Sequence, residues 1–245
     1  MHPESLRIAY TAKTARQSTM SQFVDIIFLD IDGVLLPFGG STAEQSSDRR
    51  YRTTTQGCIF PDCTMDALTS LIVRAKNLSL GNDDHASSSS SCCCKIVLSS
   101  TWRARPDFIQ DILDSFRAYA TERARTDPTI MPIWESHLDS FFDITDPNLH
   151  STRHDEIYHW VHTHEQNLNQ ANINAHNTTQ DYIVRSWIAL DDEDLVNVEG
   201  RVSQDAKQHA VLIQSSIGLT HKDVSLGMKL LEQQHKRFYI KVHHR

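Results

Sequence analysis

Short apolar runs alternate along the chain with longer segments whose apolar residues recur at helical spacing. The apolar runs have the length and composition of strands buried on both faces of a sheet. They are residues 23–29 (FVDIIFL), 95–98 (KIVL), 181–190 (DYIVRSWIAL) and 211–213. The helical segments are residues 62–78, 106–119, 153–162 and 221–234. Strands that alternate with helices predict an α/β fold built on a Rossmann-like, doubly wound parallel sheet.

Local signals add detail at the ends of these segments. Asp62 or Thr64 is available as the N-cap of the first helix, and Thr220 can cap the last one. Residues 121–132 are polar and contain two prolines, and the aromatic-rich residues 133–142 suggest a short strand or a lid-like packing element.

Polar stretches define the organisation of the chain. We expect a flexible N-terminal segment at residues 1–22 and one domain at residues 23–240. Residues 81–94 contain a low-complexity serine run and predict a variable loop, while residues 37–57 predict an excursion over the surface that could lie above a site. Little chain remains for a cap domain, so we expect a minimal cap or none and an open site.

Composition narrows the classes of function. The net charge of −7 argues against bulk attraction to nucleic acid or to an anionic membrane. No apolar run approaches the roughly 18 residues of a membrane span, so we expect no membrane partner. The five cysteines fit neither a disulfide framework nor paired zinc-binding motifs. We expect an intracellular protein, in the cytoplasm or nucleus rather than an organelle, and composition does not predict its oligomeric state.

Polar side chains follow three of the predicted strands. Asp30 and Asp32 follow the first, Ser99 the second, and Asp191 and Asp192 the third. Because ligands of open parallel sheets bind beyond the carboxyl ends of the strands, we expect these residues to share one crevice. Their carboxylates can hold Mg²⁺, which offsets the repulsion between an attacking aspartate and a phosphate. Asp30 is then the candidate nucleophile of an aspartyl-phosphate route.

The sequence also offers candidates for the general acid and base and for the ligands of the phosphate. Asp32 can reach the leaving group once Gly33 breaks the strand, and it is the candidate general acid and base. The hydroxyl of Ser99 and the cation of Arg153 are candidates for binding the phosphate oxygens. Ser100 replaces Ser99 if the strand runs one residue longer.

These motifs resemble those of a known superfamily. FLDIDGVL, VLSSTWR, Arg153 and ALDDED look like the four signature motifs of the haloacid dehalogenase (HAD) superfamily, in order. STWR, RHDEIYHWV and the late GLT before a helix are similar to the HAD-like domain of "Swiss Army knife" RNA repair proteins. The resemblance implies Asp30 as nucleophile, Asp32 as acid and base, Ser99 and Arg153 as phosphate ligands, and Asp191 with Asp192 as metal-site acids.

Taken together, the sequence predicts a magnesium-dependent phosphatase whose metal site comprises Asp30, Asp32, Asp191 and Asp192, with Asp194 as a further candidate. The expected partner is a phosphorylated substrate, with a nucleic-acid end or a nucleotide as the first guess. The alternatives are a catalytically silent module that binds a phosphorylated partner and a phosphotransferase that shares the first step.

Several of these residues also have purely structural interpretations. Arg153 can be a solvated arginine at a helix start. Trp102 can stack on a substrate base or belong to the core, and the arginines among residues 49–52 can contact phosphates or be solvated. We interpret the histidines among residues 159–164 as surface residues without a metal.

Overall fold

The computed structural model describes residues 22–38, 54–80, 93–148, 152–171, 182–198 and 200–243. The strands are β1 (Gln22–Leu29), β2 (Cys93–Leu98), β3 (Asp143–Ile144), β4 (Tyr182–Asp191), β5 (Asn197–Val198), β6 (Arg201–Val202) and β7 (Ala210–Leu212). The α-helices are α1 (Asp62–Leu80), α2 (Pro106–Ala124), α3 (Ile130–Trp134), α4 (Arg153–Ala171) and α5 (His221–His243). Every strand and helix that the periodicity predicted is therefore present; most ends differ by a few residues, but α4 and α5 each extend nine residues beyond the predicted end.

Five strands form one parallel sheet in the order β3-β2-β1-β4-β7. The first strand of the chain lies at the centre, so its carboxyl end adjoins the carboxyl ends of β2 and β4. Leu29 pairs with Leu98 on one side and with Leu190 on the other. The residues that follow these three positions consequently begin at the same edge of the sheet, as predicted. Strands β5 and β6 form a separate antiparallel ribbon.

Helices cover both faces of the sheet, which confirms the doubly wound α/β prediction. Ile27 and Leu29 of β1 pack into a core with α1, α2 and α5. Ile26 and Phe28 point to the opposite core, which is closed by Ile157, Trp160 and Val161 of α4. This alternation follows from the two-residue repeat of a strand, and the fully apolar character of β1 follows from having two buried faces.

The aromatic segment at residues 133–142 contains no strand, so that alternative is wrong, and the segment is a packing element instead. Trp134 ends α3 and is fully buried. Its ring lies 4.9 Å from the ring of Phe116 between centroids, and its Nε1 donates to Thr69 Oγ1 at 3.1 Å. Trp134 and Phe141 belong to the core that contains α1 and α2, whereas Phe142 packs against the opposite core.

The N-cap proposed for α1 is also wrong, because Asp62 is the first residue of the helix and Thr64 lies inside it. Asp62 Oδ1 accepts hydrogen bonds from Thr55, and the Thr64 hydroxyl lies 2.9 Å from the carbonyl oxygen of Pro61. The cap of α5 is confirmed. Asp223 Oδ2 accepts from the backbone N–H and the hydroxyl of Thr220, and Thr220 Oγ1 accepts from the N–H of Asp223.

Several predictions concern segments outside the described residues. They are the N-terminal segment up to residue 21, the arginine cluster at 49–52, and residues 81–92 of the low-complexity loop. The predicted loop boundary at residue 94 is too late, because β2 begins at Cys93 and the thiol of Cys94 is buried. Cys58, Cys63 and Cys94 are not in disulfides. None of the helices in the described part of the chain is both long and apolar enough to span a bilayer.

Candidate active site

A tight turn carries the chain away from the end of β1 and places Asp30 at the edge of the sheet. The N–H of Asp30 donates to Leu190 O at 3.1 Å, and the N–H groups of Leu35 and Leu36 both donate to Ile31 O at 2.9 Å. Asp30 is thereby fixed to the neighbouring strand through its backbone, and its side chain is only 7% exposed.

Gly33 is required in this turn for two reasons. Its φ is +70°, a conformation that residues with a side chain adopt only at a cost. A Cβ atom at this position would lie 2.3 Å from Asp192 Oδ2, which is shorter than any tolerable contact. The glycine after the two aspartates thus lets the carboxylate of Asp192 approach the turn that carries Asp30.

Three carboxylates meet at this edge. Oxygen atoms of Asp30, Asp191 and Asp192 lie within 4.8 Å of one another, and this is the group of three potential metal ligands found among the described residues. Asp191 ends β4, and its Oδ1 accepts from the N–H of Glu193 at 2.9 Å. The cluster is composed of oxygen ligands only, which is the ligand type that Mg²⁺ prefers.

Burial and mutual repulsion make this cluster electrostatically unfavourable by itself. Burial, opposed by the charge of Arg153 and a hydrogen bond from Ser100, raises the pKa of Asp30 to about 6. Burial and the neighbouring charge of Asp30 raise the pKa of Asp191 to about 8. The pKa of Asp192 is raised as well, mainly by burial. A divalent cation would offset this repulsion, so the residues present fit a bound Mg²⁺.

Arg153 is the cation that faces these acids. It begins α4 and is buried, so its interpretation as a solvated helix-start arginine is wrong. Its Nη2 lies 4.0 Å from Asp30 Oδ1, and its Nε lies 3.9 Å from Asp191 Oδ2. Its Nη1 donates to Ser99 Oγ at 3.3 Å. Arg153 therefore contacts the end of every strand that carries a candidate residue.

The two serines after β2 are both fully buried but face different groups. Ser99 Oγ is within hydrogen-bond distance of Arg153 and of Thr145 Oγ1, at 3.3 Å and 3.5 Å. The Ser100 side chain hydrogen-bonds Asp30, and its oxygen also accepts from the N–H of Trp102 at 3.5 Å. The geometry thus favours Ser100, the alternative from the sequence, as the hydroxyl beside the nucleophile, while Ser99 supports Arg153.

Asp32 lies apart from the three-carboxylate group. Its side chain is half-buried, and Oδ2 accepts from Trp102 Nε1 at 2.9 Å. The ring of Trp102 packs on Phe108 with centroids 5.1 Å apart. Trp102 packs against the hydrophobic core, which confirms the core interpretation. Its indole is also oriented towards Asp32, a contact that the sequence did not predict.

Of two further acidic residues near the site, one bonds its own loop and the other contacts the arginines. Asp194 is exposed, and its Oδ1 accepts from the N–H groups of Val196 and Asn197 at 3.0 Å, so it stabilises its own loop and lies outside the metal-ligand group. Glu156 is buried, and its Oε2 contacts Arg103 Nη2 at 2.6 Å and Arg153 Nε at 3.9 Å. Nothing in the sequence pattern singles out Glu156, apart from its place one helical turn after Arg153.

The histidines of α4 do not form a metal group among the described residues. His159 and His162 are exposed, as predicted. His164 is half-buried, stacks on Trp160 with centroids 3.7 Å apart, and uses Nδ1 to contact Trp160 O at 2.7 Å.

Comparison with known proteins finds a family match over most of the chain. The family model described as "HAD domain in Swiss Army Knife RNA repair proteins" matches residues 26–224, more than half of the 245 residues. Neither a search of curated proteins nor a search of solved structures gave a match. The matched range includes the second half of β1, all of β4 and every side chain of the site described above.

Proposed function

The chain belongs to the family of HAD domains of Swiss Army Knife RNA repair proteins, and we propose that it is a magnesium-dependent phosphatase in which Asp30 attacks phosphorus. Membership supports hydrolase chemistry at the level of the superfamily, whose members typically use Mg²⁺. The observation that carries the finer proposal is the meeting of Asp30, Asp191 and Asp192 within 4.8 Å, with Arg153 Nη2 4.0 Å from Asp30.

In the first step, a carboxylate oxygen of Asp30 attacks the phosphorus atom and the ester P–O bond breaks. Asp32 donates a proton to the leaving oxygen, and an aspartyl-phosphate forms on Asp30. The bound Mg²⁺ would supply charge neutralisation between the attacking carboxylate and the phosphate oxygens. Ser100 and Arg153 hold the transferring group, since its charge must be stabilised throughout the transfer.

In the second step, water attacks the phosphorus atom of the aspartyl-phosphate. Asp32, now ionised, accepts the proton of this water, and Asp30 is released as a carboxylate together with inorganic phosphate. The hydrogen bond from Trp102 Nε1 keeps Asp32 oriented between the two steps. This arrangement supports catalysis over silent binding, because a binding module has no need of a second, separately oriented carboxylate beside the nucleophile.

The proposed substrate is the phosphomonoester of a nucleic-acid end or a nucleotide. The description of the family by its place in RNA repair proteins supports this choice, and the expectation of a minimal cap or none agrees with a polymer as substrate. A phosphotransferase would share the first step and replace water with another acceptor, so products must be identified as well as phosphate.

The test is release of phosphate from an aryl phosphate with and without Mg²⁺. We expect magnesium-dependent turnover by the intact protein and a loss of at least about a thousandfold in Asp30→Asn, since the nucleophile is removed while the shape is kept. Asp139→Asn is the matched control, because Asp139 is exposed and is not a member of the three-carboxylate group. A shortfall of free phosphate relative to leaving group that grows with added alcohol would favour a phosphotransferase, since the alcohol takes the phosphoryl group in place of water.

Persistent turnover in Asp30→Asn would contradict the role of the nucleophile. Phosphate binding without turnover of aryl phosphates or of 3′- and 5′-phosphorylated oligonucleotides would favour the silent module.

A further inference from the structure

Arg103 has donors in the interior of the protein that no described residue accepts. It lies in the 3₁₀ turn Thr101–Ala104, directly after the two serines that follow β2, and its side chain is 3% exposed. One nitrogen, Nη2, donates to Glu156 Oε2 at 2.6 Å. Its Nε and Nη1 are buried and have no hydrogen-bond partner among the described residues.

Buried donors without an acceptor are unusual, because almost all buried polar groups of native proteins are hydrogen-bonded. The cost is greater for a charged group such as a guanidinium. Two such nitrogens on one arginine next to a candidate active site indicate that the acceptor is a ligand rather than a protein group.

The charge around Arg103 indicates what that ligand is. Burial and the neighbouring charge of Arg153 lower the pKa of Arg103, while Glu156 and Asp30 oppose this shift. Arg103 and Arg153 therefore lie close enough to repel each other, and one carboxylate, Glu156, contacts both. An anion placed between the two guanidinium groups would offset that repulsion and accept their free N–H groups.

We propose that Arg103 is a second phosphate-binding arginine, which donates hydrogen bonds to the oxygens of the phosphomonoester held by Arg153. The proposal rests on the proposed function and deepens it, since the site then presents two guanidinium groups from two different elements. Planar guanidinium donors match phosphate oxygens in geometry as well as in charge. Glu156 fixes the third nitrogen of Arg103 and thereby orients the free donors.

The test is calorimetric titration of the protein with inorganic phosphate in the presence of Mg²⁺. We expect Arg103→Gln to weaken phosphate binding by at least about tenfold, since hydrogen bonds to charged groups are lost. Arg103→Lys keeps the charge but not the planar donors, and we expect an intermediate loss. Arg105→Gln is the matched control: Arg105 is two residues away, exposed and paired with Asp107, and its loss should leave binding unchanged.

Glu156→Gln separates direct binding from an indirect role. If Arg103 binds phosphate itself, Glu156→Gln should weaken binding much less than Arg103→Gln does. Equal losses in the two single variants, with no further loss in the double variant, would show that Arg103 acts only through Glu156 and would overturn the proposal.

Binding and turnover are measured on the same samples, so that a failure of the inference about Arg103 can be distinguished from a failure of the proposed phosphatase function. Phosphate binding that depends on Arg103, without turnover, would support this inference and count against the phosphatase. Turnover and phosphate binding that are the same in Arg103→Gln and Arg103→Lys as in the intact protein would overturn this inference alone. Absence of phosphate binding by the intact protein would overturn it as well. Circular dichroism of each variant verifies that the fold is kept.

Discussion

Asp25 in β1 and Asp30, which directly follows that strand, are both buried beside an arginine and yet have opposite electrostatic environments. Asp25 accepts hydrogen bonds from Arg185 Nη2 and Ser186 Oγ at 2.7 Å, and its Oδ1 contacts His235 Nε2 at 2.9 Å. Burial alone would raise its pKa, but the hydrogen bonds from His235 and Arg185 lower it to about 2. Asp30, at the carboxyl end of the same strand, has a pKa raised to about 6.

The difference distinguishes a structural charge from a functional one. The acceptors of Asp25 are used by cationic and hydroxyl donors of β4 and α5, so the carboxylate is stable without any ligand. Asp30 faces two other carboxylates, and its closest cation lies 4.0 Å away. The protein alone does not neutralise these three carboxylates, so the cluster is suited to bind a metal ion and a phosphate.

The largest effect is expected from breaking the hydrogen-bond network around Asp25. Asp25→Asn would leave the guanidinium of Arg185, whose side chain is 4% exposed, without its carboxylate. We expect the free energy of unfolding to fall by about 3 to 5 kcal/mol, as for other buried ion pairs that lose one partner. Urea denaturation measures this loss. A loss below about 1 kcal/mol would contradict the structural role given to Asp25.

In metal-free buffer, the corresponding substitution at Asp30 should raise the free energy of unfolding instead of lowering it. The carboxyl titrates near 3.8 when unfolded and near 6 when folded, so its protonated form stabilises the fold below pH 4 and this contribution is lost as the pH rises through 6. Asn does not titrate. We therefore expect Asp30→Asn to be more stable than the intact protein by about 2 to 3 kcal/mol at pH 8 and equal to it near pH 4.

Magnesium provides the control for this prediction. Added Mg²⁺ should raise the melting temperature of the intact protein more at pH 8 than at pH 5, because Asp30 and Asp191 must lose their protons to bind it. The rise should be much smaller in Asp30→Asn. Equal Mg²⁺ effects in both proteins would argue against a metal at this cluster.

The smallest effect tests whether Asp32 needs to be held in place. Trp102→Phe keeps the ring packing on Phe108 but removes the donor to Asp32 Oδ2. We expect kcat to fall by about tenfold with KM nearly unchanged, as positioning of a general acid is impaired. The loss should be greater for alkyl phosphates, whose leaving groups need the proton, than for nitrophenyl phosphate. An equal loss for both substrates would indicate a merely structural role for Trp102.

Much of the fold was predictable because its signals are local. The alternation of apolar runs with helical segments reflects a repeat along the chain, and the end of each strand is marked by the first polar residues after it. The parallel arrangement then brings Asp30, Asp191 and Asp192 to one edge whatever the details of packing. The segment at residues 133–142 misled the prediction, because aromatic residues suit a lid, a strand or a core equally well.

The sequence by itself determined the α/β fold and the acids at the strand ends, since both follow from local pattern and strand direction. Only the tertiary structure decided which serine faces Asp30, that Trp102 orients Asp32, and that Glu156 joins Arg103 to Arg153. These contacts join side chains of separate elements, and their distances depend on how helices cross the sheet. For the same reason, the role of Asp25 could not be predicted from its place in the apolar run of β1. Its partners lie on β4 and α5, more than 150 residues away along the chain.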